Sequence, residues 1–332
     1  MEIHLQVSFS SRLTFSASLT ELKGRLGGDS LFVIDSSIVH LFPDIPAERI
    51  FLFNGEKEKD FETVGRCLTW LLSCGATRRT KLVAVGGGAT TDFAAFAASV
   101  FHRGMRLVLV PTTLLSMVDS AVGGKTAVNL AAKNTVGSFY PAEEIVIVRE
   151  FLSTLGPVEK ASGKAEMVKL ALIRGGELAR KVLHGDDLTT DESIRLAIKE
   201  KLEIVSEDLT DTLGKRIVLN WGHTFGHAIE RAYGLPHGLA VAAGMVLEQR
   251  WVEKAGVRDL FPPEKVEYLL ALNGVGADTR TYIEDNLWKK LVFMDKKREF
   301  EKISIVYLVD LGKTGIICRD LNDILKDLED LR

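Results

Sequence analysis

The sequence predicts an α/β domain built on a mostly parallel, Rossmann-like sheet, followed by a mainly α-helical domain. Two observations support the first half of this prediction. Short apolar runs alternate with helical patterns, and a cluster of glycines follows directly after one of these runs. Alternating strands and helices are typical of a parallel sheet that helices cover on both faces. The strands are expected at 31–37, 49–55, 81–88, 106–113 and 144–151.

Two helices are expected between these strands. "DFETVGRCLTWLL" (60–72) places its large apolar residues on one helical face, and "TTDFAAFAASVF" (90–101) is rich in alanine, which favours close packing. Because the ligands of such sheets bind at the carboxyl ends of the strands, binding residues are expected just after each strand.

The second half of the chain has a different pattern. From about residue 152 helical patterns follow one another, from "SGKAEMVKLALI" to "PPEKVEYLLALNG", and only 302–311 resembles a strand, before a short terminal helix. A chain of 332 residues also exceeds the size at which a single core usually keeps growing. We therefore predict an α/β domain over 1–152 and a mainly helical domain over 153–332. The active site is expected in the cleft between them.

Composition excludes several functional classes. The chain is 46% hydrophobic and 26% charged with a net charge of −3, and its basic residues are dispersed, which disfavours nucleic acid and anionic membranes as partners. No uncharged apolar run approaches the roughly 18 residues of a membrane span, and we expect no secretory signal. Cys67, Cys74 and Cys318 form no disulfide framework. We therefore expect a cytoplasmic protein that acts on small molecules.

"VAVGGGATTD" (83–92) lies between a predicted strand and a predicted helix. At such a position the backbone can approach a phosphate closely. The segment differs from the usual dinucleotide fingerprint, because Thr91 occupies the place of its last glycine. A tight turn without a ligand is the alternative. We favour a phosphate-binding loop, since three consecutive glycines cost backbone entropy.

"DSAVGGKTAVN" (119–129) resembles a nucleotide-binding P-loop through its Gly-Lys-Thr triplet. The P-loop pattern needs a glycine where Asp119 stands, so that interpretation fails. Two glycines, a lysine and an aspartate still indicate a polar loop that could hold an anion. The alternative is a solvated turn.

"GHTFGHAIERAYGLPHG" (222–238) contains three of the seven histidines of the chain. His223 and His227 are four residues apart and therefore share one helical face, and His237 follows a short break. A catalytic zinc typically takes three protein ligands, often completed by a carboxylate, and keeps one position open. This cluster favours a metal site over a capping or buried histidine. Spacing alone does not show which two of the three histidines bind the metal.

Taken together, these segments resemble the 3-dehydroquinate synthase family. The resemblance runs from about residue 80 to 300 and is looser over residues 1–80, where "NGEKEK" is similar to a family segment. Its strongest pieces are "VAVGGGATTDF", "HRGMRLVLVPTTLLSMVDSAVGGKTAVN", "KNTVGSFY", "ASGKAEMVK", "LNWGHTFGHAIE" and "HGLAVAAGM". The resemblance implies conversion of 3-deoxy-D-arabino-heptulosonate 7-phosphate (DAHP) to 3-dehydroquinate and phosphate in the shikimate pathway. It also implies two cofactors. NAD is expected in the NAD-binding α/β domain over 1–152, and a zinc ion, with cobalt as the alternative metal, in the helical metal- and substrate-binding domain over 153–332.

The resemblance further implies roles for individual residues. Glu166, His223 and His237 are expected to bind the metal, while His227 faces substrate. Arg103 is expected to reach the site of a neighbouring subunit, which implies a homodimer. The other expected substrate residues are Asp119, Lys125, Asn134, Lys169, Lys201, Arg216, Asn220 and either Lys296 or Lys297, with Lys296 preferred. The expected NAD contacts are Asp35, Glu56, Lys59, Gly86, Gly87, Gly88, Asp92, Thr112, Thr113 and Leu115.

The chain departs from the family pattern at several places. Thr91 and Ala95 stand where glycine is usual, Leu239 replaces a carboxylate, and the segment before Arg216 is one residue longer. Three other functions therefore compete with the expected one: a related sugar-phosphate cyclase, a metal-dependent polyol dehydrogenase that releases NADH, and a metal- and nucleotide-binding protein without turnover. The retained cationic residues favour an anionic substrate that carries a carboxylate.

Overall fold

The computed structural model describes residues 10–26, 28–277, 279–285, 287–291 and 302–329. The chain divides into two compact units, Met1–Thr154 and Leu155–Arg332.

The first unit contains a six-stranded parallel sheet, which confirms the predicted α/β class. The strand order is β1-β8-β5-β4-β2-β3. Helices α1 (Leu19–Arg25), α2 (Phe61–Ser73) and α3 (Gly88–Val100) connect its strands. The strands of this unit are β1 (Arg12–Phe15), β2 (Ser30–Asp35), β3 (Ile50–Phe53), β4 (Lys81–Gly86), β5 (Arg106–Pro111), β6 (Lys125–Leu130), β7 (Ala132–Phe139) and β8 (Glu144–Ile147).

The five predicted strands and both predicted helices of this half are confirmed. The central strands β4 and β5 are apolar without alternation because both faces of the sheet are covered. The short strand β1 at one edge was not predicted, since four residues with one charged and one polar member carry no clear strand pattern.

The sheet order places the strand ends that matter for binding next to one another. The chain moves from β2 outward to β3 and then returns to β4 on the other side of β2. Connections therefore leave β2 and β4 in opposite directions, and open α/β sheets bind ligands at such a switch point. Asp35 ends β2 and Gly86 ends β4, and the backbone N–H of Thr112, just after β5, donates to Gly86 O at 2.9 Å.

The segment 119–129 differs from the polar loop that the sequence predicts. Only its first part is a turn, because Lys125 begins β6, which pairs antiparallel with β7. The strand buries Thr126 and Val128 on one face. Gly124 has φ +71°, and a Cβ at this position would lie 2.8 Å from Pro141 Cγ. The lysine thus lies where a constrained turn meets a hairpin.

The second unit is mainly helical, as predicted. Helix α8 (His237–Lys254) lies at its centre and contributes Leu247, Trp251 and Val252 to a buried cluster that also includes Phe225 and Trp288. Its other elements are α4 (Pro157–Arg174), α5 (Glu177–His184), α6 (Asp191–Ser206), α7 (His223–Tyr233), α9 (Pro263–Leu272), α10 (Thr279–Glu284), α11 (Leu287–Leu291), β9 (Lys302–Asp310), β10 (Lys313–Asp320) and α12 (Leu321–Glu329).

The predicted strand at 302–311 is confirmed as β9, but it has a partner that was not predicted. Strand β10 pairs with it antiparallel, and most of its residues are at least partly exposed. Its sequence therefore lacks the apolar alternation that would have revealed it. None of the helices in the described part of the chain combines the length and hydropathy needed to cross a membrane.

Helices α4, α7 and α8 approach one another backbone to backbone. A Cβ on Gly244 of α8 would overlap the carbonyl oxygen of Gly222, just before α7, and a Cβ on Gly238 would overlap the carbonyl oxygen of Ser162 in α4. Glycine at these two positions is therefore required by space rather than by turn conformation. The contacts fix α7 and α4 against α8 with no side chain between them.

We expect the substitution Gly244→Ala to lower the free energy of unfolding by about 1–3 kcal/mol, because α7 and α8 must separate to admit the methyl group. Thermal unfolding should then shift down by several degrees. Gly65→Ala is the matched control, since Gly65 lies inside helix α2 and a Cβ added there would meet no atom within 4 Å. The control should be stabilising by about 0.5–1 kcal/mol. Equal effects of the two substitutions would contradict this account.

Candidate functional site

The three clustered histidines lie at the beginnings of two helices. His223 is the first residue of α7, His227 lies one turn later, and His237 is the first residue of α8. Gly222, which has φ +81°, directly precedes α7, and Pro236 directly precedes α8. One ring nitrogen of each histidine lies within 4.8 Å of the others. The predicted common face is confirmed, and the second helix brings the third imidazole to it.

Glu166 of α4 faces the same space. Its Oε1 lies 3.8 Å from His223 Nε2 and 3.7 Å from His237 Nε2. The carboxylate is almost completely buried, and Oε1 has no hydrogen-bond partner among the described residues. A buried carboxylate oxygen without such a partner is unfavourable unless another group compensates it. Two sets of metal ligands are thus assembled, the three histidines and the set of Glu166, His223 and His237.

In the second set, the side-chain atoms that face away from the candidate metal position (the outer atoms) all have polar partners. His237 Nδ1 lies 2.8 Å from Glu230 Oε2, and His223 Nδ1 lies 3.3 Å from the carbonyl oxygen of Trp221. Glu166 Oε2 lies 2.5 Å from Lys169 Nζ. A ring N–H donated outward leaves the Nε2 lone pair for a metal, and such outer partners are usual around metal ligands.

The inner atoms of this set fit a zinc ion. Zinc bonds to nitrogen and oxygen are about 2.0–2.2 Å long, so tetrahedral ligand atoms lie roughly 3.4 Å apart. The two separations from Glu166 Oε1, 3.7 and 3.8 Å, need only a small contraction to reach this value. The residues present therefore fit a zinc or cobalt ion.

The electrostatic surroundings keep His223 in its neutral form. Burial lowers the pKa of His223 well below its usual value, and the positive charge of Lys169 lowers it further. Neutral imidazole is the form that binds a metal. His223 is thus able to bind a metal cation at neutral pH.

Lys169, expected to contact substrate, is buried beside the carboxylate. Its Nζ donates to Leu219 O at 2.9 Å and pairs with Glu166. The positive charge of the ammonium group stabilises the negative charge of Glu166 at Oε2, which burial would otherwise make unfavourable. Its contact with substrate stays a prediction.

In the first unit, the glycine cluster forms the beginning of α3. Gly86 ends β4, Gly87 precedes the helix without a side-chain cap, and Gly88 is its first residue. The first-turn N–H groups and the positive end of the helix therefore lie where a phosphate could accept hydrogen bonds. A Cβ on Gly88 would lie 2.8 Å from Ser120 Oγ, so the segment that carries Asp119 packs directly against this loop.

A partly buried network connects the expected cofactor residues with an expected substrate residue. Lys59 Nζ donates to Asp92 Oδ2 at 2.8 Å and to Asn134 Oδ1 at 2.7 Å. Burial raises the pKa of Asp92 to about 6, although the charge of Lys59 opposes this shift. Asn134 has a left-handed backbone conformation with φ 56°, and its N–H donates a hydrogen bond to Asn129 Oδ1. The hairpin β6–β7 is thereby attached to the loop that contains Lys59.

The remaining predicted residues lie as follows. Asp35 Oδ2 accepts a hydrogen bond from Thr90 Oγ1, and Glu56 Oε1 accepts one from Asn129 Nδ2. Arg216 and Lys201 are buried, whereas Asn220 and Lys125 are exposed. Arg103 is also exposed, in a left-handed turn with φ 63°. Thr112, Thr113 and Leu115 follow β5, and Lys296 and Lys297 lie outside the described residues.

The residues behind the candidate metal ligands were not predicted from the sequence. Glu230 lies seven residues after His223, so helical spacing could have placed it on the same face. The backbone carbonyl of Trp221 gives no sequence signal at all. Glu248 is far from the histidine motif in sequence, and only the folded unit brings its carboxylate to the beginning of α7.

Comparison with known proteins decides the family. The model for "3-dehydroquinate synthase N-terminal" matches residues 49–162, and the model for "3-dehydroquinate synthase C-terminal" matches residues 163–298. The chain belongs to the 3-dehydroquinate synthase family. The family expected from the sequence motifs is confirmed.

Relatives named 3-dehydroquinate synthase match most of the chain. The protein of Pyrococcus furiosus is 38% identical over 295 residues, which cover 86% of this chain and 85% of the relative. The protein of Methylacidiphilum infernorum is 37% identical over 316 residues, which cover 89% and 84%. This family likeness therefore extends through both units.

Solved structures of related cyclases have the same fold. A 2-deoxy-scyllo-inosose synthase complexed with carbaglucose-6-phosphate, NAD+ and Co2+ is 27% identical with a TM-score of 0.81, and 96% of each chain is covered. ValA, the 2-epi-5-epi-valiolone synthase of Streptomyces hygroscopicus with NAD+ and Zn2+ bound, is 26% identical with a TM-score of 0.81, covering 100% of this chain and 99% of that one. A probable glycerol dehydrogenase of Sinorhizobium meliloti, 16% identical with a TM-score of 0.54, shares the fold alone.

We expect Glu230→Gln to weaken zinc binding by roughly 10–100-fold, the usual effect of removing the outer partner of a metal-binding histidine. The amide can still accept a hydrogen bond from His237 Nδ1, but it lacks the negative charge that makes the imidazole a stronger ligand. Competition with a chromophoric chelator measures the affinity. Glu253→Gln on the exposed surface of α8 makes the same change of charge and should leave the affinity unchanged. Equal affinities in both variants would refute the assigned role of Glu230.

Proposed function

We propose that this protein is a 3-dehydroquinate synthase that converts DAHP to 3-dehydroquinate and phosphate. Relatives of this name at 35–39% identity over most of the chain support the activity. The single structural observation that carries the proposal is the convergence of Glu166 Oε1 with the Nε2 atoms of His223 and His237. The enzyme is then a carbon–oxygen lyase of the shikimate pathway that uses NAD and zinc or cobalt.

The two cofactors would be held by different parts of the chain. Residues 86–88 and the first turn of α3 would bind the NAD phosphates through backbone N–H groups. Glu166, His223 and His237 would hold the metal. Bound there, NAD supplies reversible hydride transfer and the metal supplies Lewis acidity toward substrate hydroxyls. Related cyclases with NAD+ and Co2+ or Zn2+ bound support this assignment.

The reaction explains why a redox cofactor is needed without net oxidation. Oxidation of the substrate at C5 gives a ketone, which acidifies the proton on C6 so that phosphate can leave. Reduction of that ketone, ring opening and aldol closure then give the product. The departing phosphate can itself take the C6 proton, so the protein need not provide a dedicated base.

The protein residues would bind anions and relay protons. Lys125, Lys201 and Arg216 would form charge-assisted hydrogen bonds with the phosphate and carboxylate of the substrate. His227 is exposed, with its ring centroid 5.2 Å from that of His223, so it could exchange protons with a substrate bound beside the candidate metal ligands. The retained arginine and lysines favour a substrate with a carboxylate over an uncharged sugar phosphate.

We further propose a cytoplasmic homodimer in which Arg103 serves the partner's site. Support comes from the exposed position of Arg103 in a left-handed turn with His102, where its charged side chain is accessible to a second subunit. Light scattering at the protein concentration of the activity assay would measure the oligomeric state.

Incubation of the purified protein with DAHP, NAD and zinc is the direct test of function. We expect phosphate and 3-dehydroquinate to form together, in large excess over the NAD supplied, with no stoichiometric NADH. Phosphate assay, product chromatography and absorbance at the NADH band measure the three quantities. One NADH per product would indicate a dehydrogenase, and turnover of a neutral sugar phosphate in place of DAHP would indicate a different cyclase.

We expect Lys125→Ala to reduce DAHP binding or turnover at least about tenfold. The lost charge-assisted contact is worth roughly 1.5–3 kcal/mol, and about 1.4 kcal/mol corresponds to a factor of ten. NAD affinity should change little, because the glycines at 86–88 provide the phosphate contacts. Lys133→Ala, an exposed lysine of the same hairpin, is the control and should behave like the wild type. Normal kinetics of the Lys125 variant with DAHP would remove Lys125 from the substrate-binding residues.

A further inference from the structure

Glu248 is a completely buried carboxylate in the middle of α8 that the proposed mechanism does not use. Its Oε2 accepts a hydrogen bond from the backbone N–H of Gly222 at 2.7 Å, and its Oε1 accepts one from the N–H of Phe225 at 3.0 Å. Both donors belong to the beginning of α7. The carboxylate therefore connects the two helices that carry the histidines.

These hydrogen bonds replace a cap that α7 lacks. The residue before the helix is Gly222, which has no side chain to accept a hydrogen bond from the first turn. Uncapped first-turn N–H groups leave the positive end of a helix unsatisfied. A capping box satisfies the N–H groups of the residue before the helix and of the third helical residue. The single carboxylate of Glu248 binds the same two N–H groups from a neighbouring helix.

The cap lies directly at a metal ligand. His223 stands between the two residues whose N–H groups Glu248 binds, and α8 itself begins with His237. At that beginning, the N–H of Gly238 donates to Ser162 Oγ at 2.9 Å, and Ser162 precedes Glu166 by one helical turn. Each of the three ligand-bearing helices is thus attached to another close to its ligand.

We infer that Glu248 is a positioning residue of the metal centre, which holds His223 in its binding orientation relative to His237 before the metal arrives. The inference rests on the proposed metal site. In a preformed site the ligands are already ordered, so metal binding carries no free-energy cost for ordering them. Loss of the cap should therefore weaken metal binding as well as lower the free energy of unfolding.

Zinc affinity of the apoprotein tests this role, measured by competition with a chromophoric chelator alongside thermal unfolding of the metal-free protein. We expect Glu248→Leu to raise the Kd for zinc at least about tenfold, as removal of outer partners of metal ligands usually does. The visible absorption of the cobalt-loaded variant should also lose intensity, since distortion of a tetrahedral site changes this spectrum.

Gln249→Leu is the matched control. Gln249 is the next residue of α8 and equally buried, but its side chain binds Phe261 O, Leu308 O and the N–H of Leu308 instead of α7. Its removal should lower the unfolding temperature of the apoprotein comparably while the Kd for zinc stays within about threefold of the wild type. Equal changes of Kd in the two leucine variants would overturn the inference and leave Glu248 a purely structural residue.

Glu248→Gln keeps the test decisive if the leucine variant does not fold. This substitution retains the shape and one acceptor oxygen but presents an amide NH2 to one backbone N–H. We expect an intermediate Kd, above that of the wild type and below that of Glu248→Leu where the latter folds. A wild-type Kd in Glu248→Gln would overturn the inference. Failure of the wild type to bind zinc would instead overturn the proposed metal site and is measured first.

Discussion

The direct backbone contact of α4, α7 and α8 is the constraint on which the candidate metal centre depends. Gly238 and Gly244 allow this contact, because any side chain at these positions would overlap a carbonyl oxygen of the adjoining segment. Glu166, His223 and His237 come from three different helices, so the separation of these helices sets the separation of the ligand atoms. A displacement of about 1 Å between helices would therefore exceed the tolerance of a metal site.

Polar groups then orient each ligand within this frame. The carboxylate of Glu230 and the carbonyl of Trp221 engage the outer nitrogens of two imidazoles, and Lys169 engages the outer oxygen of Glu166. The inner atoms that remain point toward one another. A buried carboxylate oxygen without a hydrogen-bond partner beside two imidazoles is unfavourable for a core and favourable for holding a cation.

The sequence predicts the features that depend on residues close together along the chain. The α/β alternation, the helix that carries His223 and His227, and the glycine cluster after β4 all follow from short-range patterns. Local patterns do not show contact between distant segments. Spacing leaves open which histidines bind the metal, and only family resemblance points to Glu166. Strand β10 gives no signal because it is largely exposed, and the beginning of the hairpin at 125–139 resembles a loop because glycines precede it.

The central claim is that Glu166, His223 and His237 hold the metal, rather than the three histidines. Anomalous diffraction at the zinc absorption edge from crystals of the zinc-loaded protein tests this claim most directly. We expect a single peak about 2.0–2.2 Å from Glu166 Oε1 and from the Nε2 atoms of His223 and His237, with His227 beyond bonding distance. A peak bonded to all three histidines, with Glu166 outside bonding distance, would contradict it.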